Sequence, residues 1–186
     1  MLETIQSIDF SILNFIYDNF RCAFLNPIMV LISNLGNGGF IFIVATIILL
    51  LNKKTRKIGL TFAISLIIGF IIVNLIMKPT IARIRPYEIN QAVILLSGKM
   101  HDYSFPSGHT LAGFEFATAV FLYNKKWGLI SYIFALLMGF SRLYLYVHFP
   151  TDVICGAILG VLFSIISYYI TKAICKKFKV LNNILN

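Results

Sequence analysis

Four apolar runs of about twenty residues, the length a helix needs to cross a hydrocarbon core roughly 30 Å thick, constrain this chain more than any other feature. They extend from about Pro27 to Leu51, Ile58 to Met77, Gly128 to Val147 and Pro150 to Thr171. A shorter fifth run, from about Gly108 to Tyr123, fits beside them and carries Glu115. Backbone polar groups in lipid find no water, and a helix satisfies them within one segment. The runs therefore predict an all-α integral membrane bundle of about five transmembrane helices. Composition agrees: 12% of residues are charged, where a soluble domain carries about 25%. The length fits one domain over residues 1–186.

Two segments depart from this pattern. Ile5 to Phe20 interleaves apolar residues with Asp9, Asn14, Asp18 and Asn19, the mark of an amphipathic helix lying in the membrane interface rather than crossing it. It lacks a basic start, so no cleavable signal peptide is expected. The patch Gly36-Asn37-Gly38-Gly39 inside the first run predicts a bend or a close helix approach.

The net charge of +9 does not imply a nucleic-acid partner, because the basic residues sit in short clusters between apolar runs. Ten fall on one side of the bundle with no acid among them: Lys53, Lys54, Arg56, Lys57, Lys125, Lys126, Lys172, Lys176, Lys177 and Lys179. The positive-inside rule places that side in the cytoplasm. The long loop from Lys78 to Ser107 is then expected outside. Cys22, Cys155 and Cys175 have no metal-type spacing and are read as structural.

Three polar clusters fall on the expected outer side. They are Lys78 with Arg85-Pro86, Pro106-Ser107-Gly108-His109, and Ser141-Arg142 with His148 and Asp152. Lys78, Arg85 and Arg142 are three fixed cations, and arginine's planar fork matches phosphate oxygens. Ser107 and Gly108 start a run, where helix N–H groups point at an anion. His148 and Asp152 are four apart and share a face if that stretch is helical. Asp152 then fixes the tautomer of His148 and frees its other nitrogen to attack phosphorus. His109 is placed to protonate a leaving oxygen and later to activate water. No acidic cluster suggests a metal, and no cofactor is expected.

In order and spacing, these clusters resemble the three signatures of the type 2 phosphatidic acid phosphatase superfamily: Lys-x6-Arg-Pro, Pro-Ser-Gly-His and Ser-Arg-x5-His-x3-Asp. The match covers about residues 58–171. The resemblance implies a helical membrane bundle and metal-independent hydrolysis of a lipid phosphate or diphosphate through a phosphohistidine. It implies His148 as nucleophile, His109 as acid/base and Asp152 as orienting carboxylate. Lys78, Arg85, Ser107, Gly108, His109 and Arg142 would hold the phosphate. Larger members carry a further N-terminal span, where this chain has only the expected interfacial helix. Within the family, an outward site in a compact basic bundle suits undecaprenyl diphosphate. Phosphatidylglycerophosphate or phosphatidic acid is the alternative, and a non-catalytic lipid or anion carrier is a different class.

Each residue alone has a plainer reading. Lys78 can anchor a helix end at the interface, and His148 can be an interface histidine. A charge such as Arg142 inside an apolar run is functional by default. Ser107 is expected to cap a helix in any case. Glu115 is read as a satisfied bundle carboxyl and His101 as a solvated loop residue. Arg83 lies inside the first signature but outside its fixed positions, so phosphate and lipid headgroups both remain open to it.

Overall fold

The apolar runs all become helix. A computed structural model describes residues 2–177; Lys179, counted above in the basic tail, lies outside the described residues. In chain order the helices are α1 (Leu2–Phe20), α2 (Leu25–Leu35), α3 (Phe40–Leu51), α4 (Arg56–Gly69), α5 (Lys78–Ile81), α6 (Pro86–Ile89), α7 (Gly108–Tyr123), α8 (Lys125–Tyr144) and α9 (Pro150–Lys177). A 3-10 turn, Asn37–Gly39, joins α2 to α3, and a π-helical stretch, Phe70–Met77, joins α4 to α5.

Three continuous stretches are long and apolar enough to cross a membrane: Arg56–Ile89, Lys125–Tyr144 and Pro150–Lys177. The pair Leu25–Leu35 and Asn37–Leu51, bent by 47°, makes a fourth if taken as one span. The bend has a local cause. Gly38 and Gly39 have φ of 61° and 70°, a left-handed backbone that glycine adopts without steric cost. The expected fifth span, α7, has 16 residues and so reaches about 24 Å at 1.5 Å per residue. It packs at the centre, against α4, α8 and α9. Its close approach to α9 depends on Gly156 and Gly160, where a Cβ would lie 2.6 Å from the carbonyl oxygens of Ser107 and Leu111.

The helix ends sort into two groups. Thr61 near the start of α4 lies 3.0 Å from the Tyr123 hydroxyl and 3.1 Å from that of Thr171. The ends of α7 and α9 thus meet the start of α4, beside the basic clusters. The three signatures lie at the opposite end.

One expectation is extended and one needs correction. First, α1 also packs on the bundle. Leu13 and Asp9 are buried against the bundle while Ile5, Ile8, Ile12 and Phe15 remain exposed. Second, Glu115 is not satisfied. It faces Ser65, yet neither side chain completes a hydrogen bond of normal geometry.

Candidate active site

Local backbone chemistry aims each cluster inward. Pro86 restricts the residue before it to extended backbone, and Arg85 has φ −76° and ψ 149° at the N-terminus of α6. The chain turns there, and the Arg85 side chain enters the bundle end, almost fully buried. Ser107 caps α7, its Oγ accepting from Thr110 N at 3.5 Å and from Thr110 Oγ1 at 3.0 Å. Its own N–H donates to the Asp152 carbonyl at 3.1 Å, tying the second signature to the third.

His148 and Asp152 do not share a helical face. α8 ends at Tyr144 rather than near Val147, and α9 begins at Pro150. Residues 145–149 form a tight buried link, with Tyr146 at φ 60°. Asp152 sits in the first turn of α9 and its Oδ2 accepts from Phe149 N at 2.8 Å. This is half of a capping box, which folds the carboxylate back over the link that carries His148. The proximity expected from a four-residue spacing is present, but a helix cap produces it.

His148 is 1% exposed. Its Nδ1 lies 3.4 Å from Asp152 Oδ2 and 3.5 Å from Ser104 Oγ. Its Nε2 lies 3.2 Å from Arg85 Nη1. Arginine only donates, so Nε2 meets it as an acceptor and the ring proton belongs on Nδ1, toward Asp152. Burial, then the charges of Arg85, Arg142 and Lys78, holds the imidazole well below its usual basicity. The ring is thus neutral, with its lone pair on the side of the cations.

Arg85 is fixed from several directions. It donates to the Val147 carbonyl at 2.7 Å, the Asp102 carbonyl at 2.9 Å and Asp102 Oδ1 at 2.7 Å. Lys78 also pairs with Asp102, through Oδ2. Asp102 therefore bridges two of the expected phosphate ligands. Burial would raise its pKa, but the hydrogen bond from Lys78 and the charges of Lys78 and Arg85 outweigh that and keep it ionised well below the usual carboxylate range. Arg142 donates Nη1 to Ser33 Oγ of α2, while its buried Nε has no partner. Gly108 leaves open space, since a Cβ there would stand 4.0 Å from Lys78 Nζ.

His109 lies against the α2–α3 break. Its Nε2 is 3.0 Å from Asn37 Oδ1. A Cβ on Gly36 would lie 2.4 Å from His109 Cδ2, so the ring uses the space that glycine leaves. A cleft of about 530 Å³ runs from Lys78, Gly108 and His109 past Phe70 and Leu66 to Glu115.

Sequence reasoning missed Asp102, Ser104, Asn37 and Asp9. Asp102 and Ser104 lay in a loop with no periodicity. Asn37 was read only as part of a bend. Asp9 offered one signal, an acid near the middle of an amphipathic helix. The two unplaced residues diverge: His101 is exposed, whereas Arg83 is engaged by two carboxylates, Asp152 Oδ1 at 2.5 Å and Asp9 Oδ2 at 2.6 Å.

A helical membrane bundle whose end gathers a buried histidine, a carboxylate beside it and three cations has the charge to receive an anion. The sequence model of the PAP2 superfamily matches residues 56–175, and the chain belongs to that superfamily. It is 38% identical to an undecaprenyl-diphosphatase of Sulfolobus acidocaldarius, over 89% of this chain and 80% of that one. Among solved structures it resembles a Bacillus subtilis transmembrane PAP2-type phosphatidylglycerolphosphate phosphatase, with TM-score 0.71 and 27% identity over 94% of this chain and 88% of that one. Aquifex aeolicus LpxE is similar too, with TM-score 0.70 and 28% identity, covering 85% and 93% of the two chains.

Proposed function

We propose that this PAP2 superfamily member is a lipid phosphatase that hydrolyses a polyprenyl diphosphate through a phosphohistidine. The observation that carries the reading is the geometry of His148: a buried imidazole with Nδ1 3.4 Å from Asp152 Oδ2 and Nε2 3.2 Å from Arg85 Nη1. Nε2 attacks the terminal phosphorus, and the bond from phosphorus to the bridging oxygen breaks. His109, entering the cycle as imidazolium beside the bound anion, gives that oxygen a proton and the lipid monophosphate leaves. Water, deprotonated by His109, then attacks the phosphohistidine and releases inorganic phosphate, returning His148 to its neutral form. Lys78, Arg85 and Arg142, with the N-terminus of α7 at Ser107 and Gly108, stabilise the charge spread over the phosphoryl oxygens. Asp152 stabilises the imidazolium character that develops as Nε2 bonds to phosphorus.

The substrate class draws support from the Sulfolobus undecaprenyl-diphosphatase, which is similar over most of both chains. The likeness to the Bacillus phosphatidylglycerolphosphate phosphatase favours a second substrate, a glycerophospholipid phosphate. Both readings keep the same chemistry. The positive-inside rule, applied to the basic end of the bundle, supports a site on the extracytoplasmic face of the cell membrane.

The test is phosphate release by purified protein in detergent from undecaprenyl diphosphate, phosphatidylglycerophosphate and phosphatidic acid. The highest kcat/KM is expected for the diphosphate. His148→Gln should be inactive with all three, and acid quench of the wild type should trap phosphate on His148. Activity in His148→Gln, or phosphate trapped elsewhere, would overturn the role assignment. In intact cells a membrane-impermeant thiol reagent should label a cysteine introduced at Gln91, in a background without Cys22, Cys155 and Cys175. Protection there would reverse the orientation.

A further inference from the structure

Arg83 lies within the first signature yet is not one of its fixed positions, and its surroundings are unusual. Nη1 donates to Asp152 Oδ1 at 2.5 Å and to Thr151 Oγ1 at 2.7 Å. Nη2 donates to Asp9 Oδ2 at 2.6 Å. The guanidinium lies over the Phe149 ring, 4.0 Å from its centroid. Asp9 is anchored in turn by Thr151, whose N–H and hydroxyl donate to its two oxygens at 3.0 and 2.5 Å. One guanidinium therefore bridges two buried carboxylates, one from α1 and one from the start of α9.

The bond pattern around Asp152 shows what this bridge does. Oδ2 takes Ser104 Oγ at 2.5 Å and Phe149 N at 2.8 Å, and faces His148 Nδ1. Oδ1 takes only Arg83 among the described side chains. The Arg83 carbonyl also accepts from Ser104 N at 2.8 Å. Arg83 thus holds the Asp152 carboxylate through its side chain and the Ser104 backbone through its carbonyl, while the Ser104 hydroxyl is held by Asp152 itself. A carboxylate with one oxygen unpaired in a buried site is costly and free to turn. Lysine could not make the same bridge, because its ammonium is a point charge without a planar fork.

We infer that Arg83, backed by Asp9 of the N-terminal helix, is a positioning residue that fixes the Asp152 carboxylate behind His148. This rests on the roles proposed above for His148 and Asp152. It gives α1 a place in catalysis although it contributes no group to the phosphate site. Arg83 is not a phosphate ligand in this arrangement, because both terminal nitrogens are occupied by carboxylates.

The experiment compares Arg83→Ala, Arg83→Lys and Asp9→Asn with wild type and His148→Gln. All are full-length, in detergent, with undecaprenyl diphosphate as substrate and inorganic phosphate as inhibitor. Arg83→Ala should lower kcat by about 10–100-fold, the usual cost of losing a partner that orients an active group. KM and the inhibition constant for inorganic phosphate should stay within about twofold, since ground-state binding is untouched. Arg83→Lys and Asp9→Asn should lower kcat less, and Asp9→Asn should add little on top of Arg83→Ala, as groups in one network do. Low-millimolar guanidinium should restore part of the activity of Arg83→Ala and none to His148→Gln. A purely structural role would reduce folded protein and thermal midpoint but leave kcat per folded enzyme unchanged, which overturns the inference. A raised KM with weaker phosphate inhibition at constant kcat overturns it too, making Arg83 a substrate ligand. If Arg83→Ala does not fold, Arg83→Lys and Asp9→Asn decide by the same criteria. Activity in His148→Gln would instead sink the underlying mechanism.

Discussion

Asp102→Asn should make the protein bind inorganic phosphate more tightly. Asp102 places a carboxylate between Lys78 and Arg85, where a phosphoryl group is expected. An incoming phosphate must break both ion pairs, so the carboxylate is a built-in competitor. Its side chain is 52% exposed, which calls for the range of solvent-screened pairs, about 0.5–1 kcal/mol each. Two such pairs give about 1–2 kcal/mol, or roughly 5–30-fold in affinity at 1.4 kcal/mol per decade. Asparagine keeps the shape and removes the charge. Arg85 should stay in place, because the Val147 and Asp102 carbonyls still hold it at 2.7 and 2.9 Å. The assay is inhibition of lipid hydrolysis by inorganic phosphate, with KM for the lipid measured alongside. Both constants should fall, and kcat should not rise, because product leaves more slowly. An inhibition constant that is unchanged or higher would refute the competition and make Asp102 an organiser of the cations instead.

Two further outcomes follow from the site. Gly36→Ala should leave the fold intact, because Gly36 has a right-handed backbone at φ −86°. Its Cβ would meet His109 at 2.4 Å, and displacing the ring by about 1 Å should cost on the order of 100-fold in kcat; full activity would show that His109 does not work from this position. For pH, the folded protein keeps His148 neutral well below its ordinary 6.5, whereas the unfolded chain binds a proton there. Stability associated with this group is therefore present above 6.5 and is lost as pH falls below it, by at most about 1.4 kcal/mol per pH unit. The thermal midpoint should drop between pH 7 and 5, less steeply in His148→Gln; equal slopes would contradict a buried neutral ring.

The helical bundle was legible because its signals are dense: apolar runs, basic junctions and residues such as Pro86 and Ser107 act locally. The site was legible where cations and histidines stood at fixed spacings. What stayed hidden depends on pairings across the chain. Nothing in the sequence ties Asp9 to Arg83, 74 positions apart, or Asn37 to His109, 72 apart. The Asp102 bridge depends on how an irregular loop folds back over the bundle end, and hydrophobic period carries no information there. The glycine patch was noticed as a bend, but its second use, making room for His109, needs the position of a ring on another helix.

The placement of the two histidines also bears on where the lipid lies. In a phosphoryl transfer the attacking and leaving groups lie roughly in line through phosphorus. His148 is enclosed on one side by Asp152, Ser104 and the α1-supported link, so on the proposed mechanism attack would come from that side. The leaving oxygen would then depart toward His109, which stands against Asn37 and Gly36. Away from Lys78 and His109 the cleft is lined by Ile43, Leu66 and Phe70, with Glu115 as the one carboxyl among them. On the proposed mechanism these mostly apolar walls would suit a departing lipid chain better than a hydrated leaving group. A water-soluble phosphate would use the same cations but leave that apolar wall uncovered. On that reading, selection of lipid over soluble substrates would come from the leaving group rather than from the phosphoryl group.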